Sequence, residues 1–196
     1  MPKIVNHEER RDEVVAAARR VILRDGIEAA TTRAIAKEAG YSNGVLTHYF
    51  ADKDDILVSA LEASHRRIAE RLREKLAGLT GLAALREVLL DNVPLDEERV
   101  RETGLEVGFW GRSLTSPDLL EVQRREAAEL RYVVVSLLRS AAAAGEIRAD
   151  EDLDDAAERL LALVDGLSVH RLLYPDRVPG DRLERLILRE LDHLTA

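Results

Sequence analysis

The chain has 196 residues, a formal net charge of −8 from 29 Lys and Arg against 37 Asp and Glu, and no cysteine. The missing thiols exclude a disulfide framework, a thiolate metal site and a cysteine nucleophile. The acidity excludes only promiscuous polyanion binding: residues 1–55 carry nine Lys or Arg and ten Asp or Glu, so nearly all of the excess lies in the remaining 141 residues.

The N-terminal residues are too charged for a secretory signal, and no apolar run approaches the roughly 20 residues of a membrane span. A soluble, cytoplasmic protein with no membrane partner is expected. A first helix is predicted from His7 to about Asp25, with Val14, Ala17, Ala18, Val21 and Ile22 as its inner stripe and Gly26 ending it. Arg10 and Arg11, near its start, read either as phosphate contacts or as part of a solvated charged face, and the second account is the simpler.

The stretch 32–50, TRAIAKEAGYSNGVLTHYF, reads as two short helices joined by a tight turn. Thr32 is expected to cap the first helix, Ile35, Ala36 and Ala39 to share its inner face, and Gly40 to end it in the left-handed conformation. Ala36 keeps the contact small enough for two helices to cross closely. Ser42 is expected to cap the second helix, with Leu46, Tyr49 and Phe50 as its buried face. Asn43, Gly44, Thr47 and His48 remain outside. Short hydrogen-bonding groups and bare backbone at a helix start are what a helix needs to enter a DNA major groove. The spacing fits a helix-turn-helix, the bland alternative being an ordinary helical hairpin.

After Phe50, Asp52 is a predicted N-cap, and Lys53 falls in the first turn of a helix running to about Ala77. A lysine there opposes the helix dipole, which points to a negative external partner such as a DNA phosphate. The run 32–57, TRAIAKEAGYSNGVLTHYFADKDDIL, resembles the DNA-binding domain of the TetR family of bacterial transcriptional repressors. The turn Gly40, the start at residues 42–44, the aromatic pair before the loop and Lys53 carry the resemblance. Many members place a phosphate-contacting tyrosine where this chain has Thr47, and LTHYF is closer to the betaine/choline-type regulators. The resemblance implies backbone contacts from Thr32, Ser42, Tyr49 and Lys53, and base reading by Arg33, Asn43, Gly44, Thr47 and His48. It also implies a homodimer on a palindromic double-stranded DNA operator, released by a small-molecule effector.

The rest of the chain reads as helices over about 53–77, 81–92, 97–113, 117–143, 153–174 and 180–195, with breaks at glycines and prolines between them. The expected fold is all-α. A three-helix helix-turn-helix DNA-binding domain spans residues 1–52, and a helical ligand-binding and dimerisation domain spans 53–196. The helix from Lys53 joins them without a flexible linker.

Gly104, Gly108 and Gly111 surround Phe109 and the only tryptophan, Trp110. Each glycine costs about 1 kcal/mol in a helix relative to alanine, which fits either close backbone approach or a need for space. With Tyr132 and Tyr174 as neighbours and Glu106 or Asp165 nearby, these aromatics are candidate ligand-binding residues, plain core packing being the alternative. An aromatic, acidic site suits a cation such as a quaternary ammonium compound.

On the last two helices, Leu160, Leu161, Val164 and Leu167 form one stripe, and Leu183, Leu186, Ile187, Leu191 and Leu194 another. Two helices cannot hide stripes this wide from each other alone. Leu160, Val164, Leu167, Leu183, Leu186, Ile187 and Leu191 are therefore assigned to a two-fold, four-helix dimer interface, against an intrachain core.

Glu62 and His65 have the Glu-x-x-His spacing of di-iron bundles, but no second such motif accompanies them. No phosphate loop, nucleophile elbow or HExxH occurs. No metal, cofactor or catalytic activity is expected. The competing classes are a di-metal helical enzyme and a helical protein-interaction module.

Overall fold

A computed structural model describes residues 7–195, and among them every regular element is an α-helix. In chain order these are α1 (His7–Asp25), α2 (Thr32–Ala39), α3 (Asn43–Leu46), α4 (Lys53–Lys75), α5 (Gly81–Asp91), α6 (Glu97–Ser113), α7 (Pro117–Ala143), α8 (Leu153–Leu173) and α9 (Gly180–Thr195). No described helix is long and apolar enough to cross a membrane.

Two compact units emerge. The first takes the chain up to Arg66 together with Gly104–Arg124; the second takes Arg67–Thr103 and the chain from Arg125 onward. Residues 53–66, expected with the C-terminal domain, thus pack with the N-terminal helices. The reason is their stripe: Ile56, Leu57, Ala60 and Leu61 are buried in the same core as Val14, Ala17, Ala18 and Val21 of α1 and Ile35 and Ala36 of α2. Leu105, Phe109, Leu119 and Val122 complete that core.

The second unit has its own core. Leu85, Val88 and Leu89 of α5, Val134 and Leu138 of α7, Leu160 and Val164 of α8, and Leu183, Ile187 and Leu191 of α9 meet there. Within one chain this core already takes up most of the α8 and α9 stripes. Leu160, Val164, Leu167, Leu183, Ile187 and Leu191 are all buried within one chain, and only Leu186 is half-buried. The stripes are too wide for two helices, as expected, but α5 and α7 of the same chain cover them.

Two polar devices fasten this unit. The Asp91 carboxylate, 0% exposed, meets Lys75 Nζ at 2.5 Å, Arg71 Nη2 at 2.8 Å and Arg99 Nη2 at 3.1 Å. Arg71 also grips Glu102 in a two-point pair at 3.0 and 2.9 Å. Burial pushes the Asp91 carboxyl up, but hydrogen bonds from Arg71, Lys75 and Arg99 outweigh it and hold the group below the usual carboxylate range. The second device caps α5. The Leu82 amide donates to Glu146 Oε2 at 2.8 Å, and a Cβ on Gly81 (φ +57°) would lie 2.3 Å from that oxygen. Only glycine leaves the carboxylate room to sit over the helix start.

Candidate functional site

Helix α2 begins one residue earlier than the sequence implies. Thr31, extended at ψ 155°, is the cap, its Oγ1 accepting from the Ala34 amide at 3.2 Å; Thr32 is the first helical residue. Adjacent threonines are interchangeable caps on paper. Here Ala30 and Ile35, both 0% exposed, flank the first turn as a hydrophobic staple and set the frame at Thr31. Gly40 ends α2 at φ 75°, and the Tyr41 amide reaches back to the Ala36 carbonyl at 2.9 Å, closing the turn.

Helix α3 is only Asn43–Leu46, and residues 47–49 continue as a turn. His48 and Tyr49 amides bond the carbonyls of Val45 and Leu46, three residues back, at 3.2 and 2.9 Å. This is the tighter 3₁₀ pattern. Ser42 stands at the cap position, but its hydroxyl makes no capping bond; only its carbonyl takes part, accepting from the Val45 amide at 3.0 Å. Thr47 Oγ1 donates to the Gly44 carbonyl at 2.9 Å.

The candidate residues differ in exposure. Arg33, Ser42, Asn43, Gly44, Thr47 and His48 are exposed, while Thr32, Tyr49 and Lys53 are half-buried. Beneath them Leu46 and Phe50 are 2% and 3% exposed. Tyr49 does not join that buried pair; its ring lies 5.1 Å from the His7 ring. At the start of α4, Asp52 caps as expected, with Oδ1 accepting from the Asp55 amide at 2.9 Å. Asp54 and Asp55 in the same turn supply the negative charge that the dipole favours and that Lys53 does not.

Arg11 is not a free solvated group. Its Nη1 donates to the Tyr49 carbonyl at 2.7 Å and its Nη2 to Ser59 Oγ at 2.8 Å. Nothing in the spacing signals these contacts, which join residues 38 and 48 apart. Arg10 lies over the Tyr41 ring, 5.7 Å from its centroid.

Of the candidate ligand residues, Glu106, Phe109 and Trp110 belong to the first unit and Tyr132, Asp165 and Tyr174 to the second. Phe109 is 0% exposed and is core, the plain alternative weighed for it; Tyr132 is 74% and Tyr174 44% exposed. No outside atom comes within 4 Å of a Cβ placed on Gly104, Gly108 or Gly111, so close backbone approach within the chain does not require these glycines.

Glu106 anchors a polar island beside Phe109. His65 Nε2 lies 2.9 Å from its Oε2, and Trp110 Nε1 donates to its Oε1 at 3.3 Å. Burial pushes the Glu106 carboxyl up, but His65, with Gln123 and Trp110, outweighs that and holds it below the usual range. His65, read from the sequence only as half of a Glu-x-x-His spacing, is the residue missed here. The signal for it was its place four residues after the buried Leu61. In the second unit a cavity of about 410 Å³ is lined by Leu95, Asp96, Glu97, Val100, Arg101 and Arg171, none of them a candidate ligand residue. Among the described residues no group of three or more His, Asp or Glu converges as a metal site.

Comparison with known proteins bears on both halves. Residues 14–60 match the family described as bacterial regulatory proteins, tetR family, and residues 81–196 match the BetI-type transcriptional repressor C-terminal family. The chain is 34% identical over 196 residues to the HTH-type transcriptional regulator PksA of Bacillus subtilis, covering 99% of this chain and 94% of that one. It is 29% identical over 204 residues to the HTH-type transcriptional regulator BetI of Vibrio parahaemolyticus, covering 98% and 95%. A transcriptional regulator from Rhodococcus sp. Rha1 superposes with a TM-score of 0.84 at 30% identity, covering 94% and 95% of the two chains.

Proposed function

Because the chain belongs to the TetR family of bacterial regulatory proteins, we propose that this transcriptional regulator works as a homodimeric repressor, reading a palindromic operator through Asn43, Gly44, Thr47 and His48 and released by a small-molecule effector. One observation carries the reading: these four positions are exposed on a segment whose Leu46 and Phe50 are sunk in the core, with Val45 half-buried between the two sides. Arg33 joins them as a base reader. Thr32, Ser42, Tyr49 and Lys53 sit where they can meet the phosphates on either side, which fixes register but not sequence. Two copies related by a two-fold axis address half-sites roughly 34–36 Å apart, or a multiple of it.

The direct test is the double variant Thr47→Ala/His48→Ala on the intergenic DNA beside the protein's own gene. Each lost base contact is worth about 1–3 kcal/mol, so operator affinity falls at least tenfold by footprinting or anisotropy. Unchanged binding overturns the assignment.

The effector reading rests on Glu106 and Trp110. A half-buried carboxylate beside an indole is complementary to a cation, which enters by exchanging with His65 at Glu106. A thermal-shift series with quaternary amines such as choline tests this; stabilisation that disappears in Glu106→Gln supports it. The effector lowers operator affinity by only as much as it prefers the conformer that does not bind DNA. The proposed dimer contact uses the outward faces of α8 and α9, a reading supported by the half-buried apolar side chains of Leu161 and Leu186 there. A monomer at micromolar concentration in light scattering contradicts it.

A further inference from the structure

Building on the reading of residues 42–48 as the DNA surface, we propose that Arg11 is a positioning residue for that surface: it holds the turn after α3 in place from within the protein. Helix α3 is a single turn of four residues, too short to maintain its own geometry, since helix nucleation is unfavourable and tertiary contacts must supply the difference. The turn 47–49 that follows is closed by two bonds to residues three back, from His48 and Tyr49, and by the Phe50 amide on the Leu46 carbonyl at 2.9 Å, so its position rests on few backbone bonds of its own.

Arg11 supplies the outside support at three points. Its Nη1 holds the Tyr49 carbonyl at 2.7 Å, and its Cζ stands 4.3 Å from the centroid of the Phe50 ring. Its Nη2 is anchored on α4 by Ser59 Oγ at 2.8 Å and Asp55 Oδ1 at 3.3 Å. The other oxygen of Asp55 accepts from the Ala51 amide at 3.0 Å. The carbonyl before Phe50 and the amide after it are therefore both held by one ion pair, with the ring itself beneath the guanidinium. A planar fork carries its donors on separate nitrogens and so reaches the Tyr49 carbonyl from one and the α4 acceptors from the other; the three donors of an ammonium share one nitrogen and cannot span both. Moving Arg11 to a phosphate would break all of these contacts.

The test uses the full-length protein and its operator fragment, with Arg11→Lys, Arg11→Met and Ser59→Ala, measuring affinity between 50 and 200 mM salt and amide hydrogen exchange over residues 47–51. Losing a charge-assisted hydrogen bond predicts about a tenfold weaker operator complex for both Arg11 variants. The slope of log K against log salt stays as in the unaltered protein, and exchange accelerates at 47–51 but not in α1 or α2. Ser59→Ala shows the same pattern at about two- to threefold. Two results overturn the proposal: wild-type affinity in Arg11→Lys, or a slope reduced by about 0.9 in Arg11→Met, the mark of one lost phosphate contact. If the Arg11 variants do not fold, Ser59→Ala decides, and unaltered affinity and exchange in it reject the clamp. The exchange readout needs no DNA, so it judges the clamp even if the Thr47→Ala/His48→Ala result removes the recognition surface.

Discussion

In the first unit the guanidinium that braces the recognition turn has a 42% exposed side chain, whereas in the second the Asp91 carboxylate that gathers Arg71, Lys75 and Arg99 has none of its surface exposed. Both tie three elements together, yet they do different work. A tie with one side in water contributes little to stability, because water replaces what is lost; its value lies in geometry. A tie sealed from water is the reverse. Its carboxylate is out of reach of water, so a charge-assisted bond lost there is not replaced by solvent.

The sharpest way to break this contrast is Asp91→Ala. Removing the sealed acid that Arg71, Lys75 and Arg99 share is expected to destabilise the second unit by about 3–5 kcal/mol, seen as a large drop in melting temperature, while Arg11→Lys melts close to the unaltered protein. Equal losses in the two variants dissolve the distinction. The pH response follows from the sign of the shift: the folded carboxyl sits below its ordinary 3.8. Its contribution is complete above that value and is lost as pH falls through the lower, folded one. The stability of Asp91→Asn accordingly falls less steeply in acid below about pH 4 than that of the parent chain, checked by melts over a pH series.

Next in size is Leu183→Ala, 0% exposed in the second core. A cavity there costs about 2–5 kcal/mol at any protein concentration. Leu186→Ala, at a half-buried position, changes the melting temperature far less and instead weakens self-association in light scattering. The opposite pairing of effects returns the stripe to the interface. Gly81→Ala should cost about 1–2 kcal/mol, since the left-handed backbone is strained and Glu146 must leave the Leu82 amide. Smallest is the cap: Thr31→Ala costs about 1 kcal/mol in thermal melts and Thr32→Ala only a few tenths, an ordering that reverses if Thr32 caps α2.

The long helices were legible because a period of 3.6 repeated over several turns leaves little freedom; α6, α7 and α9 begin and end where the pattern does. The outward positions of the hairpin were legible for a related reason, since one face stays wet and polarity marks it. Legibility fails where two solutions share one pattern. Thr31 and Thr32 are equally good caps until Ala30 and Ile35 choose between them. A leucine stripe states that it must be covered, not by which elements, and the shares that α5 and α7 take of the α8 and α9 stripes are not written in the spacing. Contacts such as His65–Glu106, 41 residues apart, leave no mark in local spacing at all. The recognition helix stops early because its last turn tightens, and a tightening of one bond per residue lies below what periodicity resolves.

The bond from Thr47 Oγ1 to the Gly44 carbonyl has a chemical consequence. A hydroxyl owns a single hydrogen, and here it is already engaged inside the turn. Toward solvent Thr47 therefore offers lone pairs and a methyl group. In a major groove that combination favours the exocyclic amine of adenine or cytosine and the methyl of thymine, and has nothing to give to the paired acceptors of guanine.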